Sequence, residues 1–166
     1  MPPEKFDVGI GINTGEARLG NVGSIHKFKY GVLGNTVNVG SRLQTATKHV
    51  GARCLVSKST IDRDRSDGPK RNVRRLADLR VAGIQRPYTV YEATRESGPE
   101  WERFVETYHS ALSHFHQVNL ARATEEFGKA LQLRPNDRAS MLHLSKILEH
   151  LTQPRDEFET FLTIPK

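Results

Sequence analysis

Cysteine is almost absent. Cys54 is the single one in 166 residues, so no disulfide can form within the chain, which fits a reducing compartment. Cys54 lies in the apolar run Cys54-Leu55-Val56 and reads as core. No stretch of about 18 apolar residues occurs, which excludes a membrane-spanning helix. The opening Met1-Pro2-Pro3-Glu4-Lys5 lacks the apolar segment of a secretory signal. These absences lead to the expectation of a cytoplasmic protein. Aromatic residues make up 7%, with one tryptophan, and they are not interleaved with the basic residues, which argues against nucleic-acid binding. His109, His114, His116, His143 and His150 show no metal-ligand spacing with an acidic partner, so no metal site is expected from them.

Charge is plentiful and uneven. The net charge is +6. Residues 1–97 carry 17 Lys and Arg against 9 Asp and Glu, whereas residues 98–166 carry 8 against 10. A basic first part favours an anionic ligand such as a nucleotide. The densest run, Lys70-Arg71-Asn72-Val73-Arg74-Arg75, reads as a solvated loop edge. The length allows one domain, or one small domain with an appendage.

Taken in order, Val8 to Asn13 reads as a strand with glycines along one side, where another backbone or a ligand can approach closely. It is not a dinucleotide fingerprint, because the third glycine is missing at its spacing. Thr14-Gly15 ends it, and Gly20-Asn21-Val22-Gly23-Ser24 reads as a loop. Lys27 to Leu33 is the next strand. A helix follows to about His49, with Gly51 as its C-cap. Ala52 to Ser57 is a short strand, and Ser57-Lys58-Ser59-Thr60 opens a short helix. Asp62 to Lys70 reads as a mobile loop. Val73 to Val81 and Tyr88 to Ala93 form two strands of a hairpin.

A boundary is expected at Thr94 to Pro99, where the period changes to 3.6. The Glu100–Phe115 helix places Phe104, Tyr108, Ala111 and Phe115 on one face. A second helix runs from Asn119 to Leu133. Pro135-Asn136-Asp137 breaks it and caps a third, Ala139 to Leu151. The division expected is residues 1–95, residues 96–151, and a tail of residues 152–166, irregular but tethered by Phe158 and Phe161.

The chain is organised around Lys29 to Leu43. A strand ends at the turn dipeptide Gly34-Asn35, and Asn35 or Thr36 can cap the helix that follows. Val39, Leu43, Ala46 and Val50 recur at helical spacing and predict one buried stripe. Asn38 and Arg42 are four apart on a neighbouring face, close enough to touch one ligand. An amide and a guanidinium there form a grip for a ribose and a phosphate. On spacing alone the plainer reading, two surface residues of an ordinary amphipathic helix, is the better one.

Tyr30 to Leu43, together with Gly11-Ile12-Asn13-Thr14-Gly15, resembles the second half of a class III nucleotide cyclase catalytic domain. The resemblance covers about Val8 to Ala93, roughly half the chain. It implies an α+β fold, a partial ferredoxin-like cyclase domain with a mixed or antiparallel sheet and helices. A C-terminal helical hairpin or three-helix extension follows, in which Ala123, Phe127, Ala130 and Pro135 resemble the second half of a tetratricopeptide repeat. It also implies that Asn38 and Arg42 are the transition-state residues. Gly31, Val32, Gly34, Asn35 and Ala82 then fall at substrate-binding positions.

The sequence departs from the family pattern in three places. The metal-binding Asp pair belongs to the family's first half, and only Glu4 and Asp7 precede the Gly11 motif. Mg²⁺ or Mn²⁺ is expected for the family, with its ligands absent from this chain. The base-selecting position is Gly31, where Asp or Thr is usual. The phosphate-binding Lys is replaced by Ala82, with Arg80 and Arg86 nearby. Family sites lie between two subunits, so the resemblance implies a homodimer, or a second chain carrying the missing half. The substrate expected is a nucleoside triphosphate, ATP ahead of GTP. The isolated chain is expected to be inactive, and its sheet to have unpaired edges. The alternative is a degenerate cyclase-homology module that dimerises, regulates or scaffolds.

Overall fold

The computed structural model describes residues 7–24, 27–64, 72–81, 86–153 and 157–164. Its elements are β1 (Ile10–Ile12), β2 (Arg18–Ser24), β3 (Lys27–Leu33), α1 (Asn35–Val50), β4 (Cys54–Ser57), α2 (Lys58–Arg63), β5 (Val73–Val81), β6 (Tyr88–Ala93), α3 (Pro99–His116), α4 (Leu120–Leu133), α5 (Arg138–Thr152) and β7 (Leu162–Ile164). Five strands form one sheet in the order β1-β4-β6-β5-β7, and β2 and β3 form a separate two-stranded ribbon. The β1–β4 and β5–β7 pairs are parallel, and β4–β6 and β5–β6 are antiparallel. The expected α+β class with a mixed sheet is the observed one.

Helix α1 lies on β1 and β4 because its apolar stripe needs cover. Val39, Leu43, Ala46 and Val50 are each 1% exposed, and burying a Val or Leu contributes about 1.5–3 kcal/mol. The helix comes so close that β1 must present glycine. A Cβ on Gly11 would stand 2.3 Å from both Gln44 N and Gly40 O, and one on Gly9 would stand 2.1 Å from Thr47 Oγ1. The alternating glycines of this strand are therefore spacers for helix contact. Gly51 caps the helix in the left-handed conformation, φ 75°.

Two local expectations need correction. Neither Asn35 nor Thr36 caps α1. Gly34 holds the N-cap position with no side-chain cap bond, and Thr36 Oγ1 instead donates to Glu16 O at 2.6 Å. Gly20 to Ser24 is not a loop but the second part of β2, in register with Gly31 to Lys27. The antiparallel pairing with β3 keeps this stretch extended although its glycines by themselves point to a turn.

The three C-terminal helices pack their aromatic faces together. Phe104, Tyr108, Ala111 and Phe115 of α3 and Ala123, Phe127 and Ala130 of α4 are buried in a core continuous with that of the sheet. Asn119 and Asp137 cap α4 and α5 by accepting from Arg122 N and Ser140 N. The tail is only partly irregular. Leu162 and Ile164 are buried as β7 beside β5, and Phe158 packs edge-on to Phe115.

A buried ionic hub joins helices to sheet. Arg74 of β5 donates from Nε to Glu92 of β6 and from Nη2 to Asp137, both at 2.6 Å. Its guanidinium lies 4.5 Å from the Tyr108 ring centre and 4.9 Å from that of Phe104. Burial penalises the Arg74 charge, but Tyr108, Asp137 and Glu92 more than offset this, and its pKa ends above the ordinary value. Burial would raise the Asp137 pKa, but the Arg74 and Ser140 bonds win and it lies below the usual range. Arg134 pairs with Glu96 beside the hub.

Candidate active site

Asn38 and Arg42 are both exposed on α1. They stand one turn apart, next to the buried Val39 and Leu43, so the packing that fixes the helix also fixes the rim from which they project. Asn35 opens the same helix and donates from Nδ2 to the Tyr88 hydroxyl of β6 at 3.4 Å. Gly34 precedes it with φ 147°, a conformation that favours glycine. Gly31 and Val32 sit in β3, opposite Gly20 and Leu19. The structure thus brings Asn38, Arg42, Gly34 and Asn35 onto one helix and its N-terminus, with Gly31 and Val32 on the strand leading into it. Ala82 lies outside the described residues.

The pair stands on an open surface. A cavity of about 760 Å³ between Val8, Gly9, the last turns of α1 and Arg138, and another of about 710 Å³ around Trp101, Arg134 and Asp137, both lie away from it. Chemically, the arrangement offers an amide and a fork of guanidinium donors to a phosphorylated sugar. Among the described residues, no three His, Cys, Asp or Glu side chains come together as a metal-binding group.

Large apolar side chains are exposed on the strands and at the start of α1. Val8, two residues ahead of β1, Ile10 and Ile12 of β1, Leu19, Tyr30, Val32 and Leu33 of the ribbon, and Val37 of α1 are all exposed, Tyr30 at 74%. A group of this size marks an interaction surface. Sequence reading did not find two polar groupings: the Arg74 hub, which ties α5 to the sheet, and a chain of hydroxyls linking Asn13 to Ser59 and Thr60. Their partners are 46 or more residues apart for Asn13 and Thr14, and no local signal joins them.

Residues 2–92 match the family "Adenylate and Guanylate cyclase catalytic domain". The chain belongs to that family. It is 34% identical over 90 residues to an adenylate cyclase of Anabaena cylindrica, covering 53% of this chain and 18% of that protein. It is 21% identical over 150 residues to the terminal-differentiation-specific adenylate cyclase of Dictyostelium discoideum, covering 87% of this chain and 7% of the relative. A bacterial light-regulated adenylyl cyclase structure is 20% identical, with a TM-score of 0.44 over 59% of this chain and 27% of its own. The chain thus spans less than a fifth of these curated relatives. No described helix is long and apolar enough to cross a membrane.

Proposed function

We propose that this chain supplies the Asn/Arg face of a class III nucleotide cyclase site, converting a nucleoside triphosphate into a cyclic nucleotide and pyrophosphate. The observation that carries this is the exposed pair Asn38 and Arg42 on a helix whose other face is locked into the core. In the reaction the ribose 3′-oxygen forms a bond to the α-phosphorus while the bond to the pyrophosphate leaving group breaks. The 3′-hydroxyl proton passes to solvent water, and pyrophosphate leaves with the electron pair of the broken bond. Asn38 orients the ribose, and Arg42 steadies the charge that grows on the α-phosphate. Divalent Mg²⁺ or Mn²⁺ supplies charge neutralisation when bound, held by carboxylates from a partner surface. ATP is the substrate placed first, with GTP second, and the setting is cytoplasmic.

The apolar surface formed by Val8, Ile10, Ile12, Leu19, Tyr30 and Val32 supports the need for that partner. The partner is a second copy, or a chain carrying the family's first half. The three C-terminal helices are read as a tetratricopeptide-like extension. Gly31 favours a second reading, a degenerate module that pairs and regulates, because it offers no side chain to a base. A Cβ there would meet only Val22 Cγ2, at 3.9 Å, so the gap is not forced by packing.

The test is complementation. The chain is mixed with a cyclase first half bearing the Asp pair, and cyclic nucleotide is measured from ATP and from GTP with Mg²⁺ or Mn²⁺. The chain alone is expected to be silent and the mixture active, and Arg42→Ala should lower the mixture's rate by about 10²–10³. Activity unaffected by Arg42→Ala would remove the assignment. A mixture that stays silent yet forms a stable complex would favour the degenerate module.

A further inference from the structure

The helix that carries Asn38 and Arg42 starts without a side-chain cap. Gly34 cannot provide one, and the amides of Val37 and Asn38 both turn back to Gly34 O at 3.2 and 3.3 Å. An uncapped first turn frays. Something else must hold it, because Asn38 stands within it.

Thr36 Oγ1 and Asn35 Nδ2 tie it to Glu16 O and the Tyr88 hydroxyl, and further support comes from across the sheet. Strands β1 and β4 are parallel, with Ile12 opposite Val56, so Asn13 and Ser57 follow at the same end of the pair. Asn13 Nδ2 donates to Thr36 O at 2.9 Å, at the second residue of α1. Its Oδ1 accepts from Ser59 Oγ at 3.0 Å. Ser59 Oγ lies 2.9 Å from Ser57 Oγ, which lies 3.1 Å from Thr60 Oγ1. Thr14 Oγ1 donates to Thr60 Oγ1 at 3.0 Å.

Donor counting fixes the direction of this chain. A carbonyl oxygen only accepts, so the Asn13 amide must turn its NH₂ toward Thr36 O. Its own oxygen then only accepts, so Ser59 must donate to it. Each hydroxyl has one proton to give. Ser57 therefore donates to Ser59, and Thr60 donates to Ser57. The protons run one way, from Thr14 through Thr60, Ser57, Ser59 and Asn13 to Thr36. Aligned hydrogen bonds of this kind strengthen one another. Ser57 is fully buried and also caps α2 by accepting from Thr60 N at 3.3 Å, which anchors the middle of the chain.

We propose that Asn13 is a positioning residue, the end of a one-way hydroxyl relay that pins the first turn of α1 and so sets the direction in which Asn38 and Arg42 project. The consequence for ligand rests on the cyclase reading; the pinning does not. Asn13→Asp keeps the acceptor for Ser59 and loses the donor to Thr36 O. Ser59→Ala, at an exposed position, cuts the relay one bond earlier, and Ser59→Thr restores the hydroxyl.

The full chain is used in two measurements: amide hydrogen exchange along α1, and titration with ATP and with GTP. In Asn13→Asp and Ser59→Ala, exchange in residues 37–40 should rise by about fivefold to tenfold, while the Gly51 amide at the far end keeps its rate. Nucleotide affinity should fall by a similar factor, and Ser59→Thr should match wild type in both. Exchange that rises evenly along α1, or not at all, would overturn the proposal. If wild type binds neither nucleotide even when mixed with a cyclase first half and Mg²⁺, the cyclase reading fails, and the exchange pattern still decides the role of Asn13.

Discussion

Arg74 and Asp137 are joined at 2.6 Å although 63 residues separate them. Through this contact the N-cap of α5 is bound to the middle of the sheet. Asp137 holds Ser140 with one carboxylate oxygen and Arg74 with the other. Removing it leaves a buried cation with one carboxylate fewer and a helix with no cap. Asp137→Ala should therefore lower the unfolding free energy by about 3–5 kcal/mol. Urea titration followed by circular dichroism measures this, and a loss below about 1 kcal/mol would show the hub to be dispensable.

The glycine contact between β1 and α1 gives a second expectation with an internal control. Gly11→Ala puts a methyl group 2.3 Å from two backbone atoms of α1 that cannot step aside. It should destabilise by about 1–3 kcal/mol or more. Gly128, inside α4, has nothing within 4 Å of a new Cβ. Gly128→Ala should stabilise by up to about 1 kcal/mol, as helix propensity alone requires. Thermal melts of the two variants should move in opposite directions.

Acid should weaken the fold before it reaches the carboxylates. Burial holds the His143 pKa down to about 4, against an ordinary 6.5. Above pH 6.5 the ring is neutral in both folded and unfolded chains, and stability does not depend on it. Between about 6.5 and 4 the unfolded chain takes up a proton that the folded chain refuses. Stability then falls by about 1.4 kcal/mol per pH unit. Burial also lowers His109 and His116, with the same sign. Denaturant midpoints measured across that window should show the slope, and His143→Leu should flatten it.

The exposed apolar surface should make the chain associate. Sedimentation of wild type at rising concentration is expected to show a species larger than the monomer. Ile10→Lys or Tyr30→Ser should shift it toward monomer, with little change in melting temperature, because both side chains are exposed. A wild type that stays monomeric at all concentrations would leave a separate chain as the partner.

Much of the local structure was legible because its signals are local. The stripe Val39, Leu43, Ala46 and Val50 follows from helical spacing, and all four are buried. Gly51, with a left-handed conformation, was readable as a stop. The Gly20–Ser24 stretch was misread because its conformation is decided by Lys27 to Gly31 across the ribbon. Of the candidate site, Asn38 and Arg42 could be named from the motif, and their exposure agrees with the role proposed for them. The Asn13–Ser59 bond could not be named. Short polar residues fit almost any surface loop, and only the parallel β1–β4 pairing brings these two together.

Strand β5 has a further consequence for how the protein comes into being. One of its flanks is completed by Leu162–Ile164, which lies far along the chain from Val81. A ribosome delivers Val73–Val81 long before that strand emerges. Until then, the nascent sheet carries an open side and an arginine whose second counter-charge is still untranslated. The stretch that matches the family, residues 2–92, thus leaves one side of β5 uncovered until that later strand arrives.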